Sequence, residues 1–533
     1  MKSKYIIVTA LATWAIGTTS CVNDLDVEPI NPQLTMDYNQ NALFNKIYAS
    51  FCLTGQVGPA GNGDVPGDEG QSEFYRMVWY LNEFTTDEAH WIWMGDAGIP
   101  DLLHNNYSAS SGASSGLYYR LYFTITLCNF FLEQATGNDA STQIQRAEVR
   151  FIRAFNYYHI MDLYGNAAFT TQVSSEAPVR YERKQFYDFI ENELLEIEEL
   201  LVDPGENTYG RIDKAAARLL LARLYLNAEV YTKNAQWQKA LKYAEKTLSG
   251  GFYQLNTTGA INPVTGESYS PYQMLFLADN NETSARYEAI LPIINDGVNT
   301  NSYGSMNFLI LSTYSSTMDK YIPSGTNCSW GKGTRIRNNL IKHFFDTPAP
   351  NSNSIDEMTR AANDDRALFY GYGYSEEINN ENEINAGFSC VKFRNVRSDG
   401  QPNKVIDFVN TDLFLLRFAE AYLIYAEAST RLNGINADAA DKINVLRERA
   451  NARQKELYTL DEICDEWSRE FWFEGRRRTD LIRFGRYGGQ NEYLWEWMGG
   501  EKDGRPFDSH LNIFALPDND LENNPNLIQN PGY

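Results

Sequence analysis

The densest set of chemically capable side chains is residues 470–485, Glu-Phe-Trp-Phe-Glu-Gly-Arg-Arg-Arg-Thr-Asp-Leu-Ile-Arg-Phe-Gly. Glu470 and Glu474 are four apart, so a helix carries both carboxylates on one face. Arg476, Arg477, Arg478, Asp480 and Arg483 follow. Two chemistries fit this pattern. One is a glycosidase pair with arginine clamps, which needs its carboxyls about 5 Å apart across an open sugar site. The other is a buried charge network that fixes how the C-terminal part of the chain packs. Phe471, Trp472 and Phe473 crowd the carboxylates, and no acid/base signature of a cleft accompanies them. The pattern therefore predicts a network in which Glu470, Glu474, Arg477, Asp480 and Arg483 pair with one another and with Arg150, Arg153 or Glu420.

A second chemistry is open to the aromatic side chains. They make up 14% of the chain, with 34 Tyr and 10 Trp. Tyr and Trp bring an apolar body and a polar tip to a surface, which suits a neutral, hydroxyl-rich ligand. The net charge of −23 points the same way. It repels the phosphates of nucleic acid and the headgroups of an anionic membrane surface. Six cysteines at 21, 52, 128, 328, 390 and 464 show no metal or redox spacing, and no cofactor motif occurs. Hard oxygen ligands at Asp279, Asn281 and Asp412 suit a structural Ca²⁺. Ordinary turn and capping chemistry competes for the same residues.

The elements that position these groups follow from composition and period. At 533 residues with 43% hydrophobic content, the chain exceeds one ordinary compact core, and one large elaborated domain or two interlocked ones are expected. Lys2 and Lys4 precede an apolar stretch, Tyr5 to Ile16, too short to span a bilayer. Gly17-Thr-Thr-Ser-Cys21 then resembles a bacterial lipobox. Residues 1–20 are read as a cleaved signal peptide and Cys21 as the lipidated residue. Residues 21–40, acidic and proline-containing, form an extended leader. Residues 41–533 are read as one mainly α domain. Helices are expected at 41–58, 117–250 and 412–485. Loop-rich blocks at 59–116 and 250–411 supply a binding face. Ala154 with Tyr157, Ala222 with Tyr225, and Ala419 with Tyr422 repeat one spacing, a small residue three before a tyrosine. It resembles the tetratricopeptide repeat, in which the small residue lets paired helices approach.

Several segments now coincide: the lipobox, Arg146-Ala-Glu-Val-Arg150-Phe-Ile-Arg153-Ala-Phe-Asn-Tyr-Tyr-His-Ile-Met-Asp162-Leu-Tyr-Gly165, Leu416-Arg417-Phe-Ala-Glu-Ala-Tyr-Leu, the 470–485 stretch and the Asn524-Pro-Asn ending. In this order they resemble the SusD/RagB family of outer-membrane glycan-binding lipoproteins, across essentially the whole chain. Gly67-Asp-Glu-Gly-Gln-Ser-Glu-Phe-Tyr-Arg76, Thr86-Asp-Glu-Ala-His-Trp-Ile-Trp93 and Tyr493-Leu-Trp-Glu-Trp bring it close to the starch-binding members. The resemblance implies a tetratricopeptide-like scaffold of about four helix pairs with a loop-rich insertion. It implies no catalysis and an outer-membrane, cell-surface location through lipid on Cys21. It also implies a SusC-like TonB-dependent barrel transporter as partner. The ligand implied is an α-glucan, starch or maltooligosaccharide, held by an arc of Trp93, Tyr303 and Trp330. Arg76, Asp68 and Asp96 match the polar partners, with an acid at Asp96 where the family prefers an amide. Flat rings take the C–H faces of glucose, and Asp and Arg take its hydroxyl rim. An open platform of this kind binds with affinities on the order of micromolar to millimolar. The alternatives are the same scaffold on a different glycan, and a lipoprotein glycosidase.

Overall fold

The computed structural model describes residues 38–56, 58–59, 63–66, 72–327 and 333–533. Cys21, Asp68, Cys328 and Trp330 lie outside them. By contacts the chain divides into Met1–Ala42, of which 38–42 are described, and a compact unit Leu43–Tyr533.

Helices dominate, and their starts are written in the sequence. Asp139 accepts from the Thr142 amide, Asp213 from Ala215 and Asn436 from Ala439. Thr459 with Glu462 forms a full capping box. The helices then stack in chain order. Gly112–Gln134 packs on Ala140–Leu163, which packs on Arg183–Glu198. Lys214–Leu226, Trp237–Leu248, Ala419–Asn433 and Ala437–Arg449 continue the stack. The tetratricopeptide-like spacing has the physical role expected of it. Ala154, Ala222, Ala240, Ala244, Ala419 and Ala440 are buried at the helix interfaces, as are Tyr157 and Tyr225. A side chain larger than alanine at Ala222 would overpack this seam at a cost of about 1–3 kcal/mol. Full burial of each Leu or Phe along it contributes about 1.5–3 kcal/mol.

Three boundaries differ from expectation. The first helix, Gln40–Ala49, stops well short of residue 58, where the Ser50 hydroxyl turns back onto the Ile47 carbonyl at 2.6 Å. The block expected to be loops contains the helix Phe74–Trp79, which runs on into a π-turn at Tyr80–Phe84. Finally, the helix expected from 412 begins at Ala419, because Leu413–Arg417 is a strand antiparallel to Ala289–Ile293. Register irregularities on either side of Leu416 re-aim Arg417 into the core.

A small ladder matters for the site. Ala89–Trp91 pairs antiparallel with Thr334–Ile336, and Trp91 stands opposite Thr334. Ile336 bridges to Phe388, and Ser389–Cys390 pairs with Phe369–Tyr370. Cys52, Cys128, Cys390 and Cys464 are free and buried. Burial pushes each of these thiols up to about 12. Among the described residues no helix is long and apolar enough to cross a membrane.

Candidate functional site

The carboxylate pair of 470–485 is fully committed to the fold. Glu470 and Glu474 lie at the end of the helix Leu460–Phe471 and just beyond it. Glu470 accepts from Arg417 at 2.6 Å, from Arg366 at 3.2 Å and from Arg449. Glu474 accepts from Arg417 at 2.7 and 2.9 Å and from Lys392 at 2.8 Å. Burial raises the Glu470 carboxyl, and the charges of Arg449, Arg417 and Arg366 outweigh it, leaving it at about 2. Glu470 is fully buried among its arginines, and both carboxylates are committed to ion pairs within the fold.

The partners are only partly those expected. Asp480 pairs with Arg476 at 3.0 Å and Arg483 at 2.7 Å, and Arg483 also holds Glu427 at 2.7 Å. Glu420 joins through Arg476 at 3.1 Å and Arg223 at 2.6 Å. Arg150 and Arg153 do not join. They face Glu193 on the neighbouring helix, at 2.7 and 3.0 Å. Arg477 instead reaches back to Asp87 at 2.8 Å. Phe473 sits in the left-handed region (φ +62°), and its amide donates to Glu88 at 3.1 Å. The motif is thereby tied to the segment that leads into Ala89–Trp91.

That segment presents Trp93. Trp91, two residues earlier, packs inward 5.9 Å from the Phe84 ring. A Cβ on Gly333 would stand 2.4 Å from the Trp91 indole, so only glycine admits this approach. The strand ends at Trp91, and the chain bends at Ile92 so that Trp93 leaves the ladder and is 43% exposed. Asp96 closes the turn: its amide donates to the Trp93 carbonyl at 3.0 Å, and its carboxylate accepts from Trp91 Nε1 at 2.8 Å. Asp96 thus supports the indole pair from within the loop.

Tyr303 is half-buried, with its ring 5.7 Å from Phe408. Arg76 lies behind it. Its Nη1 donates to the Tyr303 carbonyl at 3.1 Å, and its Nε and Nη2 donate to the Tyr80 hydroxyl at 3.1 and 2.9 Å. The guanidinium also stacks 4.8 Å above Phe308. Glu73 caps the helix Phe74–Trp79 through the Arg76 amide at 2.6 Å and accepts from the Ser305 amide at 2.9 Å. A Cβ on Gly304 would come within 2.3 Å of that carboxylate. Burial drives Glu73 up to about 7 against these hydrogen bonds.

The helix Ser305–Thr313 links the two aromatic segments. Its first turn rests on Glu73, and near its end Ser312 accepts from Thr334 at 2.9 Å, across the ladder from Trp91. Nine helical residues span about 13 Å. Of the expected set, the fold brings Arg76 to Tyr303, and Asp96 to Trp91 and Trp93. Gly333, three residues after Trp330, pairs its carbonyl with the Ile92 amide at 3.0 Å. Glu73, Tyr80, Phe308 and Phe408 went unread in the sequence. Glu73 gave no local signal, because glutamate is not among the side chains that ordinarily cap a helix.

Two of the three oxygen-ligand candidates are engaged elsewhere. Asp279 accepts from the Ser398 amide and hydroxyl, the latter at 2.6 Å. Asp412 accepts from the Asn295 amide at 2.7 Å and the Tyr209 hydroxyl at 3.0 Å, and burial pushes it up to about 7. Asn281 leaves its side-chain oxygen unpaired among the described residues. These are loop-fixing contacts. Among the described residues, no three or more His, Cys, Asp or Glu are grouped so as to hold a metal ion.

Two family models match this chain: "SusD family" over residues 324–533, and "Starch-binding associating with outer membrane" over residues 24–226. The chain is 40% identical to Starch-binding protein SusD of Bacteroides thetaiotaomicron, over the full length of both. It is 26% identical to SusD-like protein P25 of Formosa agariphila, over 68% of this chain and 69% of that one. Among solved structures it resembles a SusD superfamily protein from Parabacteroides distasonis, with TM-score 0.68 and 19% identity, over 94% of this chain and all of the other. It also resembles surface glycan-binding protein A from Bacteroides thetaiotaomicron, solved with laminarihexaose, with TM-score 0.65 and 18% identity, over 92% and 98% of the two chains. At these identities the two structural likenesses speak for the fold.

Proposed function

The chain belongs to the SusD family, and on that premise we propose that it is a non-catalytic, glycan-binding lipoprotein of the outer-membrane surface. Its ligand is an α-glucan, starch or maltooligosaccharide, which it delivers to a SusC-like TonB-dependent transporter. Lipid on Cys21 anchors it. The observation that carries this reading is the exposed Trp93, in a turn closed by Asp96, with Tyr303 fixed by Arg76 at the other end of one helix. Rings braced in this way are pre-organised, so little conformational freedom is lost when a sugar face stacks on them. Trp330 and Asp68 are proposed as further glycan contacts on the family match alone. The full-length likeness to a protein named for starch binding supports an α-glucan over other glycans. The arginine-locked state of Glu470 and Glu474 supports capture without cleavage.

Calorimetry against a panel of maltoheptaose, laminarihexaose, fructan and mannan oligosaccharides tests the ligand class. Binding of maltoheptaose alone, with no shorter sugars released on incubation, is expected. Binding of laminarihexaose with none of maltoheptaose would transfer the scaffold to a different glycan.

A further inference from the structure

A second group of aromatic side chains lies apart from Trp93 and Tyr303. Tyrosine and glycine alternate in Tyr370-Gly371-Tyr372-Gly373-Tyr374, directly after the strand Phe369–Tyr370 begins. This run meets Tyr321, which follows the 3-10 turn Met318–Lys320. Tyr321 and Tyr372 are 50% and 48% exposed. Their rings stand edge to face, 5.8 Å between centroids and 64° between planes. Single exposed aromatics are ordinary on a protein surface, whereas two that brace each other form a fixed patch. No heavy atom lies within 4 Å of where a Cβ on Gly373 would stand, so the turn beside Tyr372 is open.

A buried hydroxyl in the same run points to a ligand. Tyr370 is only 1% exposed, yet its hydroxyl has no hydrogen-bond partner among the described residues. Buried hydroxyls are normally satisfied, and an orphan is a place where a bound hydroxyl gains more than it would in water. Tyr370 packs edge to face on Tyr374, 5.8 Å between ring centroids, as Tyr321 does on Tyr372. Tyr374 is held by Arg335, whose guanidinium lies 5.0 Å over its ring, and by Met318, whose sulfur accepts from its hydroxyl at 4.0 Å.

We infer that Tyr321 and Tyr372, with the unpartnered Tyr370 hydroxyl in the same tyrosine-glycine run, form a second carbohydrate-binding platform that takes one or two pyranose units of a neutral glycan. Its surface offers ring faces for C–H-rich sugar faces and phenol tips for hydroxyls, with its one guanidinium buried under Tyr374. It lies at the far side of the ladder from the first platform. Trp93 follows the strand Ala89–Trp91 at one edge, and Tyr372 follows Phe369–Tyr370 at the other, with Thr334–Ile336 and Ser389–Cys390 between. Strand spacing alone separates the two by about 14 Å, a distance a polysaccharide chain bridges and a disaccharide does not. Two weak sites on one polymer raise its avidity without tightening either site.

The inference takes its ligand class from the glycan-binding reading above, so the test separates the two. Parent chain, Tyr321→Ala/Tyr372→Ala and Trp93→Ala/Tyr303→Ala are compared on amylopectin by affinity electrophoresis and on maltoheptaose by calorimetry. The tyrosine variant is expected to keep its maltoheptaose affinity within about twofold and to lose three- to tenfold in amylopectin retention. Saturation-transfer NMR of the Trp93/Tyr303 variant should show weak residual contact with maltoheptaose. Adding Tyr321→Ala/Tyr372→Ala should abolish that contact, and adding Tyr370→Phe should reduce it. Amylopectin retention equal to the parent's would overturn the second platform and leave the function standing. So would a tyrosine variant that loses only co-purification with the transporter, which would make the patch a protein interface. A parent chain that holds no glycan would overturn both.

Discussion

Arg477 closes a two-pronged pair with Asp87 across 390 residues of sequence, with Nε on Oδ1 and Nη2 on Oδ2, both at 2.8 Å. Asp87 lies two residues before the strand that leads to Trp93. The charge-rich C-terminal motif therefore acts on the ligand face as its foundation, through backbone position. Burial raises the Asp87 carboxyl, and Arg477 outweighs it, leaving it at about 2. A carboxylate with a depressed folded-state pKa contributes stability above its unfolded value of about 3.9, and loses that contribution as pH falls towards 2.

Arg477→Met leaves Asp87 buried and unpaired. The expected loss is about 3–5 kcal/mol at neutral pH. Without Arg477, the Tyr493 hydroxyl remains as a donor to Asp87 but burial outweighs it, so the carboxyl protonates at higher pH. The stability gap to the parent should therefore narrow as pH falls from 7 to 3. Urea midpoints across that range check it, and a gap independent of pH would separate the effect from Asp87.

Glu474→Ala removes the carboxylate that neutralises Lys392 and half of Arg417. Lys392 is left with the Trp472 carbonyl. A loss of about 3–5 kcal/mol is expected again, visible in thermal melting. The fraction that remains folded should bind glycan with the parent's affinity. Unchanged melting with lost binding would return Glu474 to the ligand site.

Glu73 predicts a pH response of the opposite sign. Its carboxyl is raised from 4.5 to about 7. The folded state then holds a proton that the unfolded state releases, so stability falls as pH rises from about 4.5 to 7 and levels beyond, by up to about 3 kcal/mol. Glu73→Gln keeps an acceptor for the Arg76 and Ser305 amides and has no proton to lose. Its stability profile should be flatter between pH 4.5 and 7 than the parent's, as read from denaturation midpoints.

Arg76→Ala frees the Tyr303 carbonyl and the Tyr80 hydroxyl from their shared donor. Hydrogen bonds to a charged group contribute about 1.5–3 kcal/mol. If roughly half of that serves to hold Tyr303 in place, maltoheptaose affinity falls about tenfold. Arg76→Lys should not restore it, because an ammonium cannot span both acceptors. Calorimetry on both variants checks this.

The sequence showed some of this plainly and concealed the rest for physical reasons. Alanine three before tyrosine reports a close helix pair because that spacing is local to one helical face, so the stack was legible at Ala154 and Ala222. The density of charges beside Phe471, Trp472 and Phe473 reported burial. The partners of those charges did not follow, since Arg366, Arg449 and Asp87 arrive through tertiary contacts that no local spacing encodes. Arg150 and Arg153 misled for the complementary reason: their partner, Glu193, sits on the adjacent helix. Trp93 came from the family's Trp-x-Trp match, and the fold leaves its side chain 43% exposed just beyond the strand. Arg76 and Asp96 matched the family's polar positions, but only the fold showed that both stand behind the aromatics and brace them. The strand at Leu413–Arg417 was hidden because a short apolar run fits a buried helix as well as a buried strand.

The most direct measurement is retention of Trp93→Ala/Tyr303→Ala/Trp330→Ala on an amylopectin affinity gel, with thermal melting measured on the same sample. The expected result is loss of most or all of the retention, with a melting temperature within a few degrees of the parent's, since Trp93 is exposed and Tyr303 half-buried. Retention equal to the parent's in a folded variant would contradict an aromatic platform as the site of glycan capture.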